Sequence, residues 1–150
     1  METLKVPIRR KPGALDLPIP SYATPGSSGV DLYADVDKEV ILSPGETGLI
    51  SCGIYMSIPE GFEAQIRPRS GLALKYGITM LNTPGTIDSD YRGLISVIAI
   101  NHGKEAFTVK RGLRLAQMVF QKVARAEFIE AENLDGTARS DGGFGHTGFN

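Results

Sequence analysis

Five short, separated segments carry residues that could do chemistry together. Gly29-Val30-Asp31-Leu32-Tyr33-Ala34 sets a carboxylate beside a glycine. Pro68-Arg69-Ser70-Gly71-Leu72-Ala73 supplies a guanidinium, a hydroxyl and a glycine at the start of a candidate helix, where backbone N–H groups favour anions. Gly85-Thr86-Ile87-Asp88-Ser89-Asp90-Tyr91-Arg92-Gly93 offers carboxylates and a flat ring. Arg114-Leu115-Ala116-Gln117 adds a cation and a neutral donor, and residues 139–148 add Arg139, Phe144, His146 and many glycines. The sum is a carboxylate able to accept a proton from water, cations and amides for phosphates, and aromatic faces for a base or sugar. That combination suits hydrolysis of a nucleoside triphosphate.

Each piece also has an ordinary reading. Asp88 or Asp90 could simply cap a turn, a common role for aspartate. Tyr91 could pack on a strand, Arg69-Ser70 could open a helix, Gln117 could lie on the surface and Asp31 could be a solvated turn residue. A carboxylate at Asp31 could instead hold Mg²⁺ through water, because that ion keeps most of its hydration. Gly142-Gly143-Phe144-Gly145-His146-Thr147-Gly148 lacks the Lys-Ser/Thr pair and strand-to-helix setting of a Walker A loop. No second histidine is spaced to join His146 on a metal.

The elements that must position these residues are short. Glycines (18) and prolines (9) divide the chain into pieces rich in Val, Ile, Phe and Tyr. Phe62, Ala64 and Ile66 alternate with Glu63, Gln65 and Arg67, the pattern of a half-buried strand. Thr47 to Ile58, Leu94 to Ile100 and Leu115 to Val123 are further strand candidates; the second is apolar on both sides and is expected to be covered on both. Asp88 is expected on a β-hairpin. Ser70 to Tyr76 is a candidate helix, capped by Ser70 and stopped by Gly77; Leu113 to Asp135, without Gly or Pro, also has helical propensity, but β-branched and aromatic content keeps Leu115 to Val123 a strand. Turns at Pro44-Gly45, Pro84-Gly85 and Gly103-Lys104 complete an all-β pattern of sandwich, jelly roll or barrel. Residues 1–132 read as that β domain. Residues 133–150, nearly devoid of large apolar groups, read as a flexible C-terminal arm, a lid for a phosphorylated aromatic ligand.

Composition narrows the classes. With 16 basic and 17 acidic residues, no bulk attraction to nucleic acid or membrane is expected, so a polyanion must be held by a few placed cations. The single cysteine, Cys52, excludes an internal disulfide and lies in an apolar run that implies a buried, inert thiol. No apolar run approaches a membrane span and residues 1–7 carry no signal-type core, so the chain reads as soluble and cytoplasmic. Arg9-Arg10-Lys11 reads as a solvated turn.

In this order and at these spacings, the five segments resemble the five motifs of the trimeric deoxyuridine triphosphatase (dUTPase) family. Pro-Arg-Ser-Gly-Leu-Ala and Gly-x-Ile-Asp-x-x-Tyr-x-Gly are specific, and the likeness runs from about Ser27 to Gly148. The resemblance implies a distorted jelly-roll, β-clip type subunit and a homotrimer whose sites draw on all three chains. It implies Mg²⁺-assisted hydrolysis of dUTP to dUMP and pyrophosphate, limiting uracil in DNA and supplying dUMP for thymidylate synthesis. By the same resemblance, Asp88 activates water. Asn82 and the backbone of Gly85, Thr86 and Ile87 read uracil, and Tyr91 lies on deoxyribose. Arg69, Ser70, Gly71 and Gln117 hold phosphates. Arg139, Phe144, Gly145, His146 and Thr147 close over the ligand, and Asp31 organises water around Mg²⁺.

The chain departs from the family pattern at four places. Leu94 stands where many relatives carry Glu, Ser140 where Gly is usual, Ser28 where Ala is common and His146 where Ser is frequent. Ser140 bears on the arm, since Gly reaches φ > 0 more cheaply. Two rivals stay in view. The related dCTP deaminases would carry a second Ser at position 71 and a Glu in the catalytic hairpin region. A non-catalytic trimer could use the same cleft to sense nucleotide or bind a protein.

Overall fold

The computed structural model describes residues 3–143, and these form a β-rich body with one short helix. The strands are β1 (Ile8–Arg10), β2 (Val30–Tyr33), β3 (Val40–Leu42), β4 (Thr47–Ser51), β5 (Ile54–Met56), β6 (Phe62–Pro68), β7 (Ile78–Met80), β8 (Gly85–Ile87), β9 (Ser96–Asn101), β10 (Phe107–Val109) and β11 (Arg114–Lys122); helix α1 (Ser70–Tyr76) lies between β6 and β7. A four-stranded sheet runs β2-β11-β6-β8 and a three-stranded sheet β4-β9-β7, with two-stranded pairs β1-β5 and β10-β3. Every pairing is antiparallel.

Alternation decides which side of each strand is buried. On β6, Ala64 and Ile66 enter the core while Glu63, Gln65 and Arg67 stay half-buried on the opposite side, as the period of two requires. The core joins both main sheets through Leu32, Ile50, Ile66, Met80, Val97, Leu115 and Met118. Cys52 lies in it, and burial pushes its thiol up to about 12, which leaves it inert as expected.

Three expectations change. The run Thr47 to Ile58 is two strands, because Gly53 adopts φ 66° and a Cβ there would meet Ala14 Cβ at 2.8 Å; the chain turns at this close approach and β5 leaves to pair with β1. The outer side of β9 is not covered by the described residues: Ser96 and Ile98 are only half-buried, and Leu49, the register partner of Ile98, is 74% exposed. The segment bearing Asp88 is no simple hairpin. β7 and β9 pair with each other, Leu81 N–H donates to Ile98 O, and the intervening excursion sends β8 to the edge of β6 in the other sheet.

The basic run near the start is absorbed by folding. Arg9 stacks on the Tyr55 ring, Arg10 donates to the Leu15 and Leu17 carbonyls, and Lys11 pairs with buried Asp35 at 2.8 Å. Asp35 also accepts from Arg111 and Ser51. Past β11, Val123 N–H donates to Gly61 O, and residues 124–141 are exposed without regular structure. Among the described residues no helix is long and apolar enough to cross a membrane.

Candidate active site

Apart from Arg139 and residues 144–147, the site residues singled out in the sequence fall into two clefts with no lining residue in common. The first, of about 570 Å³, is lined by Asp31, Arg67, Arg69, Ser70, Gly71, Lys75, Arg114 and Gln117 among others. The second, of about 500 Å³, is lined by Asn82, Gly85, Thr86, Ile87, Asp88 and Tyr91, with Leu49, Leu94 and Ile98 giving it an apolar side. Strand β6 separates them. Arg67 lines the first cleft and its neighbour Ile66 the second, and successive strand residues face opposite sides of a sheet.

The first cleft holds four cations against one carboxylate. Arg69 sits in extended backbone as the residue capping α1, where no side chain makes a cap hydrogen bond; the expected cap, Ser70, is instead the first helical residue. Gly77 ends the helix in the left-handed region at φ 71° as anticipated. Asp31 Oδ1 lies 2.9 Å from Arg69 Nε and its Oδ2 3.2 Å from Arg114 Nη1, while Arg69 also donates to the Arg114 carbonyl. Both Asp31 oxygens therefore face guanidinium groups. Gln117 donates its amide to Pro68 O at 2.9 Å, and its Oε1 occupies the space a side chain at Gly29 would fill. A Cβ on Gly71 would meet nothing within 4 Å, so neither packing nor a positive φ demands glycine there.

The second cleft presents one exposed carboxylate. Asp88 follows β8 directly and makes no ion pair among the described residues. Its carbonyl accepts from Tyr91 N–H at 3.2 Å. The Tyr91 ring is 43% exposed, and its hydroxyl donates to Leu94 O at 3.2 Å. Gly85 is buried at the base of the cleft, where a Cβ would come within 3.3 Å of Asn82 Nδ2.

Arg139 lines neither cleft; it donates from Nε to Gly142 O within a local turn in which Ser140 adopts φ 46°. The left-handed backbone that glycine would reach more cheaply is thus adopted by serine. Phe144, Gly145, His146 and Thr147 lie outside the described residues. Arg67 and Lys75 were not singled out as site residues in the sequence, although a signal existed for both. Arg67 precedes Arg69 by the strand period of two, and Lys75 follows Gly71 by the helical spacing of four.

A β-rich subunit with a cation-lined cleft on one side and a carboxylate-and-ring cleft on the other defines a binder of phosphorylated ligands. The family model for dUTPase matches residues 16–148, and the chain belongs to the dUTPase family. It is 60% identical over 142 residues to a deoxyuridine 5'-triphosphate nucleotidohydrolase of Thermoanaerobacter sp. (strain X514), covering 95% of this chain and 96% of that one. A Staphylococcus bacteriophage 80alpha dUTPase solved with dUpNHpp superposes with a TM-score of 0.85 at 21% identity, covering 97% of this chain and 99% of that one. A dUTPase mutant from phage phi11 of S. aureus, described with a structural Mg(II) ion, superposes with a TM-score of 0.75 at 21% identity, covering 86% and 97%. The jelly-roll architecture expected from the sequence is the one these structures share.

Proposed function

We propose that this dUTPase family member hydrolyses dUTP to dUMP and pyrophosphate in a homotrimer, where the cationic cleft of one subunit faces the carboxylate cleft of the next. The observation that carries this reading is the division of the site residues between two clefts of one chain. Leu49 and Ile98, uncovered at the second cleft, supply apolar surface for a neighbouring copy. Phe128 and Leu134, 95% and 88% exposed beyond β11, add more.

In the composite site Asp88 takes a proton from water as the water oxygen bonds to the α-phosphorus. The bond from that phosphorus to the bridging oxygen breaks, and pyrophosphate departs with the electron pair. Arg69, Arg114 and the N–H groups near Ser70 and Gly71 offset charge on the phosphates. Ion pairs this near the surface are worth roughly 0.2–1 kcal/mol, so a triphosphate can draw both guanidinium groups from Asp31 at small cost. Uracil offers an acceptor, a donor and an acceptor along one edge, which suits Asn82 and the β8 backbone. Cytosine would leave those groups mismatched. Tyr91 packs on deoxyribose. The segment from residue 133 onward, with Arg139 and Phe144, Gly145, His146 and Thr147, closes over the ligand, Phe144 stacking on uracil.

The described residues include no group of three or more His, Cys, Asp or Glu able to hold a metal. Asp31, the carboxylate on the cleft proposed to take the phosphates, would hold a hydrated Mg²⁺ through water. When bound, the ion neutralises phosphate charge and aligns the chain of phosphates. Glycine at position 71 and leucine at position 94 favour this reading over the deaminase alternative, which would carry a second Ser at 71 and a Glu in the hairpin region. Pyrophosphate release measured side by side from dUTP, dTTP, dCTP and UTP, with and without Mg²⁺, tests the proposal. Release from dUTP with Mg²⁺ and little from the others is expected; ammonia from dCTP would overturn it.

A further inference from the structure

We infer that Gly93 is a positioning residue that sets discrimination against ribonucleotides by seating the Tyr91 ring; this rests on the placement of Tyr91 against the sugar proposed above. The backbone at Gly93 does not require glycine, since it is absent from the positive-φ positions. What requires it is Tyr91. An ideal Cβ at position 93 would lie 2.8 Å from the ring's Cε2 and overlap its Cζ and hydroxyl. The ring folds back over the glycine two residues on, and its hydroxyl is tied to Leu94 O at 3.2 Å.

The backbone beneath the ring is fixed from the other side. Arg92 Nη1 donates to both Ser89 O at 2.7 Å and Tyr91 O at 2.9 Å, and Tyr91 N–H closes the turn on Asp88 O. Tyr91 thus has a tethered hydroxyl, a clamped main chain and a seat vacated by glycine. Rejecting a 2′-hydroxyl by contact needs such a ring, because a ring free to change rotamer yields to the extra oxygen. The three atoms nearest to a side chain at 93 all belong to the outer end of Tyr91, a partly exposed residue, so the ring is the first group that must move.

The test compares kcat/KM for dUTP and UTP, by pyrophosphate release, in wild type, Gly93→Ala, Tyr91→Ala and the double variant, with melting temperatures for each. Gly93→Ala is expected to keep the wild-type melting temperature and lower the dUTP-to-UTP ratio by about tenfold. In the Tyr91→Ala background the same change should alter the ratio no further, because it acts through the ring. An unchanged ratio in folded Gly93→Ala, an equal drop without Tyr91, or loss of folding on adding this one methyl would each overturn the inference. Failure of the underlying reading looks different: the wild-type protein itself would not release pyrophosphate from dUTP or would not prefer it to UTP.

Discussion

The two clefts treat their aspartates in opposite ways. Asp31, in the cationic cleft, has an oxygen on each of two guanidinium groups. Asp88, in the other, is exposed and without an ion pair among the described residues. The oxygens of Asp31 are engaged by its neighbours, while those of Asp88 are open to solvent. Asp88 is kept apart from Arg69 and Arg114 within one chain by strand β6, on the lining of a separate cleft. In the proposed trimer it meets those cations only with phosphates between them.

The contrast can be broken most sharply at Asp88. Asp88→Asn preserves shape and removes proton acceptance, so turnover should fall by about a thousandfold while binding of a non-hydrolysable dUTP analogue stays near wild type. Equal losses in rate and binding, measured by steady-state kinetics and calorimetry, would move Asp88 from chemistry to recognition.

A smaller effect is expected across the sheet, where space beside Gly71 is open in the chain itself. Gly71→Ala should leave the melting temperature unchanged and raise KM for dUTP by about tenfold, with the cost confined to phosphate approach. Lost stability instead would make this glycine a folding requirement.

The smallest effect lies outside both clefts and serves as their control. Hydrogen bonding from Arg111 holds Asp16 down at about 2, from an ordinary value of 3.8. Burial pushes the Asp35 carboxyl up, but Lys11, Arg111 and Ser51 together outweigh that and hold it below the ordinary value. Groups depressed on folding contribute fully above the unfolded value and lose that contribution as pH falls through the folded one. Stability followed by denaturant titration should be level above about pH 4 and decline toward pH 2, more shallowly in Asp16→Asn. An identical decline in that variant would place the acid sensitivity elsewhere.

Much of this arrangement was legible in the residues. Alternation named β6, and the Gly77 stop defined the end of α1. The shift of the helix cap from Ser70 to Arg69 is a one-residue matter of where extended backbone ends. The break at Gly53 was harder to read, because its cause is the approach of Ala14 and Asp35 from distant sequence. The two-sided apolar character of β9 implied cover on both sides, but the described residues leave Ile98 half-buried and Leu49 exposed. Motif order located Asp31, Arg69, Arg114 and Gln117 in one cleft and Asp88 and Tyr91 in the other, yet could not say that β6 divides them. That depends on which strands become neighbours. The ties of Asp31 to Arg69 and Arg114 were hidden for the same reason, since β2 and β11 are far apart in sequence and adjacent in the sheet.

The composite site is tested most directly by mixing two inactive variants, Arg69→Ala and Asp88→Asn, unfolded together and refolded. If each site takes Arg69 from one subunit and Asp88 from another, random assembly makes about one site in four intact, and roughly a quarter of wild-type dUTP hydrolysis should return. A mixture as inactive as its components would mean that both residues serve one site from one chain, which contradicts the account.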